Sequence, residues 1–592
     1  MQVNKNQVLS LLSILGFVLL TRTAFLLYSV EPAGYVTDIY SMFPMSFYLG
    51  LVLCYLIASF LVLNGKVLIG SLVLCMNHLQ VLLIPYMLKY YSMGRADDMT
   101  YIGEYLQIAN SGHIANWDIY PASHIIGSGI SIILNIEPHL VSFIVPIVFS
   151  FMFIAGIYLF SRKLFPGTYI KLLVVVSSFI LYLGVYNYLN VPNALFFAFM
   201  PFYLYVINSY IEIKQNNRLS FSLIFILITI VLPYSHPFIV FFAIMTLLFY
   251  LLSNYVLPIK AQEFKIPQIR LNSFMILMIS FLSWFFYQGR LLTDLSRLIN
   301  SYLNQIGRDP TAVWTAEKVS QINFNFIDYL QLLTFFYGRY IIPTVFVLVS
   351  LIIIYHNKKI LSDKYFKNYP YLLIMYVVFL FIQLIFLFNP IIVHQPDRIM
   401  NLNFVVFAQI PLFAIALYVI FLYRYKSIYN ILLVCLILTS IWTISFFGAF
   451  DSQTVYRPNV ALTYNEVKGM SWLSDSRGDY PLNMMFEQSY RYPDILGFER
   501  SNWIYIKTIP DHFGYDSDID KFSDVYFGSS FNDYHCGYLV ITSYGELLYQ
   551  ELPAHKKVGR FNKEDFEMIR DDVSVDKVYD SINLEILFVN NI

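Results

Sequence analysis

Residues 94–105 read Gly94-Arg95-Ala96-Asp97-Asp98-Met99-Thr100-Tyr101-Ile102-Gly103-Glu104-Tyr105, a polar, acidic segment a few residues beyond the apolar run from Leu68 to Leu88. That run has the ~20 residues a helix needs to cross the hydrocarbon of a bilayer, so the adjacent carboxylates of Asp97 and Asp98 fall where a membrane helix leaves it. One aspartate suffices to accept the free N–H groups of a new helix's first turn; packing explains a second one poorly. The helix that starts there runs to about Asn110 and places Asp97, Tyr101, Glu104 and Tyr105 on one face by three- and four-residue spacing. The segment continues through Asn116-Trp117-Asp118 to Tyr120-Pro121-Ala122-Ser123-His124. Proline early in a first turn opens a second helix, and the apolar face Ile125, Ile126, Ile130 and Ile133 predicts that it lies in the membrane interface.

Around this segment the 592 residues are 58% hydrophobic and only 13% charged, against about 25% charged in soluble domains. The chain therefore reads as a polytopic membrane protein. Its formal net charge of zero gives no global basic field of the kind nucleic-acid binding needs. Apolar runs of near-spanning length lie at approximately 8–30, 45–63, 67–88, 139–160, 170–186, 192–211, 219–233, 236–253, 271–287, 340–355, 370–389, 398–422 and 428–448, which predicts about thirteen transmembrane helices. The first run is long for a signal-peptide core and no small-residue cleavage site follows it, so it is expected to stay as an anchor. Only Pro233-Tyr234-Ser235-His236-Pro237 splits the pair 219–233 and 236–253. Basic residues such as Lys66, Arg162, Lys163, Lys214, Arg218, Lys260, Lys358 and Arg424 fall in alternate loops, the cytoplasmic ones by the positive-inside rule. Merging the split pair would invert every later loop. With the pair kept, the N-terminus is cytoplasmic, and the long loops 89–138 and 288–339 lie outside with the C-terminal part.

From Asp451 the apolar runs shorten, and charges and turns appear. Residues 1–449 thus form a transmembrane module and 450–592 an extracytoplasmic α/β domain of about 140 residues, large enough to fold alone. Thr463-Tyr464-Asn465-Glu466 and Asn562-Lys563-Glu564-Asp565 are capping boxes that open helices. Strand-like runs are Leu482–Phe486, Tyr538–Thr542 and Leu584–Val589, with a hairpin turn at Val578–Asn583. The four cysteines imply no disulfide framework.

The polar clusters outside the apolar runs are all expected on the outer face: Asp97, Asp98 and Glu104, then His124, His236 and Arg339, then His394, Asp397 and Arg398. A carboxylate at the bilayer border can act as general base toward a hydroxyl. Asp97 and Asp98 together could hold a divalent cation, magnesium or manganese, through oxygen ligands. An arginine such as Arg398 can take a phosphate through its fork of donors. Glu104, His124, His236, Arg339, His394 and Asp397 are assigned to substrate binding. No two histidines have metal-ligand spacing. These roles describe sugar transfer from a donor that carries its own lipid anchor, a polyprenyl phosphate, to a glycan or protein acceptor.

The acidic loop with Asp97-Asp98…Glu104-Tyr105, Trp117 and Tyr120-Pro121 before an amphipathic helix, followed by many spans, resembles the GT-C membrane glycosyltransferases, in particular their archaeal branch. The layout, spans then an external domain, is also similar to oligosaccharyltransferases. The resemblance implies that the loop acid, here Asp97 or Asp98, is catalytic or metal-associated, and that Arg398 binds donor phosphate. It departs from the family pattern in placing the acidic loop after the third span. The C-terminal part lacks a Trp-Trp-Asp-type motif, with Trp472 standing alone, so transfer to an asparagine sequon is not expected. The alternatives are a lipid-glycan flippase or a non-catalytic GT-C relative with a binding ectodomain. A transporter would carry ionisable residues near the bilayer midplane and internal repeats; Arg22 is nearly the only mid-span charge, and no repeat stands out.

Overall fold

The structure, a computed structural model, describes residues 5–31, 34–212, 218–256, 269, 271–304, 325–357, 360, 366, 368–389, 396–485, 491–497, 509–517, 519, 521–526 and 535–590. The apolar runs form helices because nothing else satisfies backbone polar groups in hydrocarbon. Three open the chain: α1 (Lys5–Tyr28), α2 (Met45–Leu63) and α3 (Val67–Met87). The acidic loop supplies α4 (Asp97–Ser111) and α5 (Pro121–Leu134). Then come α6 (Pro138–Leu164), α7 (Thr168–Ser178), α8 (Pro192–Glu212), α9 (Arg218–Val231), α10 (Pro237–Val256), α11 (Leu271–Tyr287) and α12 (Gly289–Leu303). Helices Gly338–His356, Tyr369–Phe388, Val406–Leu417 and Ile428–Phe447 complete the bundle.

Among the described residues eight helices are long and apolar enough to cross a membrane: α1, α2, α3, α6, α8, Phe326–His356, Tyr369–Phe388 and Ile428–Phe447. The pair α11 and α12, bent by 90° at Gln288, would make a ninth. The other expected spans are helical but shorter, at α7, α9, α10 and Val406–Leu422. The described residues thus form a mostly helical chain in which eight to nine helices are long and apolar enough to span, and a shorter helix stands at each of the other expected runs. Proline explains part of the shortening: Pro233 and Pro237 interrupt the α9–α10 stretch, where their missing N–H groups break the ladder, and Pro237 then starts α10.

The acidic loop departs from expectation in one local respect. Neither aspartate caps α4; Ala96 is the N-cap and makes no side-chain cap bond, and Asp97 and Asp98 occupy the first turn, where negative charge suits the helix dipole. Helix α5 begins at Pro121 as expected, and its apolar side faces outward. Ile125, Ile126 and Ile133 are exposed, whereas His124, Ser128 and Ser131 are buried, as suits a helix with its apolar side toward lipid.

β2 (Leu462–Thr463), beyond the last span, pairs antiparallel with β1 (Tyr90–Ser92) between α3 and α4, joining the acidic loop to the C-terminal part. A four-stranded sheet follows in the order β3-β4-β6-β5, with β3 (Leu482–Met484), β4 (Cys536–Thr542), β5 (Val575–Ser581) and β6 (Leu584–Asn590). Only β3 and β4 run parallel. Both expected capping boxes form, Thr463 with Glu466 and Asn562 with Asp565. The short helix Tyr492–Leu496 lies so close to α4 that a Cβ on Gly103 would come within 2.6 Å of Asp494 O, and a Cβ on Gly127 of α5 would meet the Tyr105 ring.

Candidate functional site

A cavity of about 310 Å³ opens at the N-terminus of α4. Asp97, Asp98 and Tyr101 enter it from α4, and Tyr120 from the start of α5. Tyr186 comes from the 3-10 turn Gly184–Asn187 after α7, and His236 from the break between α9 and α10. Arg398 reaches it from the helix Pro396–Asn401, Arg457 from the connection after the last span, and Tyr544 from the C-terminal part. Four residues singled out from sequence, Asp97, Asp98, His236 and Arg398, therefore line one cavity.

The two aspartates differ in environment. Asp97 is half exposed and its Oδ1 accepts from Arg491 Nη2 at 2.9 Å. Arg491 also donates to Thr100 Oγ1, and Thr100 Oγ1 to Asp494 Oδ2. Asp98 is 3% exposed. Burial pushes its carboxyl up to about 8, with Asp97 adding to the effect, against the opposing pull of the Asn190 side chain and the backbone at Gly94 and Met93. A buried carboxyl beside another acid favours its neutral form. Asp98 Oδ1 has no hydrogen-bond partner, and neither has the buried Nε of Arg398. Unsatisfied buried atoms are rare in native proteins; here Asp98 and Arg398, which each leave one, line the same void. Arg398 also feels Tyr186, Asp97 and Tyr101, and Arg457 is held by Asp451 at 3.1 Å.

A second, apolar groove of about 550 Å³ lies alongside, lined by Ile114, Ile125, Ile126, Phe196, Val231, Tyr234, Trp284 and Tyr287. Neighbouring residues divide between the two: Tyr120 and His236, whose rings stack at 4.7 Å, face the polar cavity, and Pro121 and Tyr234 face the groove. The arrangement offers a charged pocket to a polar head and a greasy trough to a tail.

The other residues singled out lie elsewhere. Glu104 and His124 lie beyond the cavity lining, between α4 and α5, with Asp118; Glu104, Asp118 and His124 each offer a donor atom within 4.8 Å of the others. Arg339 is fully buried at the start of its span, donating to Leu181 O, Gly448 O and Asn401 Oδ1; it ties helix ends together and is not among the cavity's lining residues. His394 and the side chain of Asp397 lie outside the described residues. The sequence reading missed Arg457 and Arg491. Arg457 follows Tyr456, a non-glycine residue at φ 56°, directly after the last span, and a basic residue at a bilayer border was a usable signal. Nothing local marks Arg491, whose partner Asp97 is 394 positions away.

Fold and site thus define a polytopic helical membrane protein with an acid- and arginine-lined cavity beside an apolar groove. No family model matches the sequence, and no curated protein matches it. Solved structures similar to it include the crystal structure of ArnT from Cupriavidus metallidurans bound to undecaprenyl phosphate and that of the same protein in the apo state. Identity is 8% and 9%, coverage 88% and 89% of this chain and 98% of the other, and the TM-scores are 0.46 and 0.44.

Proposed function

We propose that this chain is a membrane glycosyltransferase of the GT-C type, moving a sugar from a polyprenyl-phosphate-linked donor to a lipid-linked glycan or protein acceptor on the extracytoplasmic face. The observation that carries the reading is the pairing of Asp97 and Asp98 with Arg398 and Arg457 around one cavity whose wall is shared with an apolar groove. In this reading the acceptor hydroxyl attacks the anomeric carbon, the bond from that carbon to the phosphate oxygen breaks, and the phosphate leaves with the electron pair. Asp97, the solvent-reaching carboxylate, takes the hydroxyl proton. Arg398 and Arg457 neutralise the charge that builds on the phosphate, the stage at which fixed charge helps most. Asp98 keeps its proton near pH 7 and donates a hydrogen bond to the sugar. Two carboxyls pushed into opposite roles by their surroundings is how such pairs divide acid from base work. His236 and Tyr120 form the wall between head and tail sites.

A divalent cation suits Asp97 and Asp98 poorly. Arg491 already neutralises Asp97, and the burial that holds Asp98 protonated opposes the anionic form a cation needs. Residues 450–592 act as an extracytoplasmic lobe whose Arg491 and Tyr544 complete the site, and the N-terminus is cytoplasmic.

The test is transfer by the chain reconstituted in lipid nanodiscs, supplied with radiolabelled polyprenyl-phosphate sugars and a pool of lipid-linked glycans. Sugar should move to an acceptor with wild type and not with Asp97→Asn, while both bind donor. Transbilayer movement of labelled donor that survives Asp97→Asn, with no transfer, would establish the flippase instead.

A further inference from the structure

We infer that Glu104, Asp118 and His124 form a site for a divalent transition-metal cation, zinc foremost, that locks α4 to α5 behind the cavity. One carboxylate comes from α4, the other from the loop before α5, and the imidazole from the first turn of α5. Each offers one ligand atom, and those atoms lie within 4.8 Å of one another. No other group of three such side chains meets this spacing among the described residues.

The independent sign of a ligand is unsatisfied polarity. Asp118 is 4% exposed and His124 2%, and Asp118 Oδ2 lies 2.7 Å from His124 Nδ1. That contact leaves His124 Nε2 buried with no hydrogen-bond partner. Glu104, 9% exposed, accepts from Trp117 Nε1 at 3.0 Å through Oε1, and its Oε2 is likewise buried and unpartnered. Two orphaned buried atoms, His124 Nε2 on the ring's far side from Asp118 and Glu104 Oε2, are what native structures avoid; a cation taking both would leave Asp118 on Nδ1, where it orients the imidazole as carboxylates do beside ligating histidines. Ligands on one zinc stand about 2.0–2.2 Å from it, so small side-chain adjustments would close the cluster around an ion. The donor set selects the class of metal: imidazole with carboxylates suits zinc and its neighbours, whereas magnesium and calcium favour oxygen alone. The neighbouring bonds brace such a site. Tyr120 N donates to the other oxygen of Asp118 at 2.8 Å, and the backbone carbonyl of Asp118 accepts from Gln288 Nε2 at 3.2 Å.

The consequence is positional. Tyr101 packs on the His124 ring at 5.3 Å between centroids, and Tyr101 and Tyr120 both line the cavity. An ion behind them fixes those walls and the α4 turn that carries Asp97. The inference stands apart from sugar transfer, because its readouts are metal content and stability.

The experiment uses the full-length chain purified in detergent without chelator. Elemental analysis should find about one zinc equivalent per chain, lost on dialysis against a strong chelator. Returning zinc to the stripped protein should raise Tm by a few degrees, and magnesium should not. His124→Ala and Glu104→Gln should each abolish both the bound zinc and the Tm response, while Asp97→Asn retains them. Cobalt added to stripped wild type should give visible absorption from nitrogen and oxygen ligands, which reports on the site without any variant having to fold. Stripped wild type that shows neither a zinc-dependent Tm shift nor a cobalt spectrum would overturn the site, as would zinc content unchanged in His124→Ala. Intact zinc binding in a chain that transfers no sugar would leave this inference standing and remove the proposed function.

Discussion

Two arginines line the same cavity and behave differently. Arg95 is closed off: Nη1 and Nη2 meet Glu466 Oε1 and Oε2 at 2.6 and 3.1 Å, Nη2 also reaches Ala461 O, and the rings of Tyr35 and Tyr544 lie against it at 5.4 and 4.6 Å. Glu466 spends its remaining capacity on the Thr463 capping box. Arg398 is only partly buried and answers to Tyr186, Asp97 and Tyr101 rather than to a carboxylate fork. The difference separates charges that hold the fold from charges kept ready for a ligand. Arg95 fastens the acidic loop to the C-terminal part, in register with the β1–β2 pairing, so that Arg398, Asp97 and Asp98 can face a space that protein does not fill.

The largest effect expected from that distinction is on Asp97. Asp97→Asn should lower the transfer rate by about 10²–10⁴, the usual worth of a positioned general base, with Tm nearly unchanged because the residue is half exposed. Activity assays beside thermal melts check this; a loss of rate that merely tracks loss of folded protein would place Asp97 with the structural charges. Glu466→Gln should do the reverse. It leaves Arg95 buried without its counter-ion, which costs about 3–5 kcal/mol, read as a lower Tm, while activity per folded molecule changes little. Adding Arg95→Met should return much of that stability, since removing both charges is far less costly than removing one.

Arg398→Gln comes next. Loss of one preorganised charge on a leaving group typically costs about 10²–10³ in rate, and here the fall should appear in kcat more than in donor binding, because Arg457 remains in the cavity. A KM effect alone would mean that Arg398 anchors the ground state only.

What sequence could and could not show follows the same line. The spans were legible because a run of about 20 apolar residues matches the thickness of a bilayer and is too long and too greasy for most water-soluble helices. Pro233 and Pro237 and the bend at Gln288 nevertheless left several of them short. The acid pair was legible as a surplus of charge at a bilayer border, and both capping boxes as local grammar whose partners sit three residues apart. Contacts between the acidic loop and residues 457–491 carry no local trace: Arg491 and Asp97, or Arg95 and Glu466, meet only once the chain has crossed the bundle. Arg339 misleads for the complementary reason. An arginine at the start of a late span reads like Arg398 in sequence, but helix ends converge on it with carbonyls, and it is consumed by Leu181, Gly448 and Asn401.

The smallest effect on rate, and the sharpest on mechanism, belongs to Asp98. Burial holds its carboxyl at about 8, well above the ordinary value of 3.8, so near pH 7 the folded chain keeps a proton that the unfolded chain has released. The native state then binds more protons than the unfolded one between those two values, and linkage makes stability fall as pH rises through that window. The contribution is whole below the unfolded value and lost as pH climbs toward 8, with a limiting slope of about 1.4 kcal/mol per pH unit. Asn cannot ionise and keeps a donor in place of the carboxyl proton. Asp98→Asn should therefore flatten the pH dependence of Tm between about pH 4 and 8 and change transfer at pH 7 by less than about tenfold. It should also remove the fall in activity expected of wild type as pH passes 8, because deprotonation would put a second negative charge beside Asp97 and withdraw the bond to the sugar. An Asp98→Asn chain as inactive as Asp97→Asn would mean that Asp98 works as the base, and the division of labour between the two acids would be reversed.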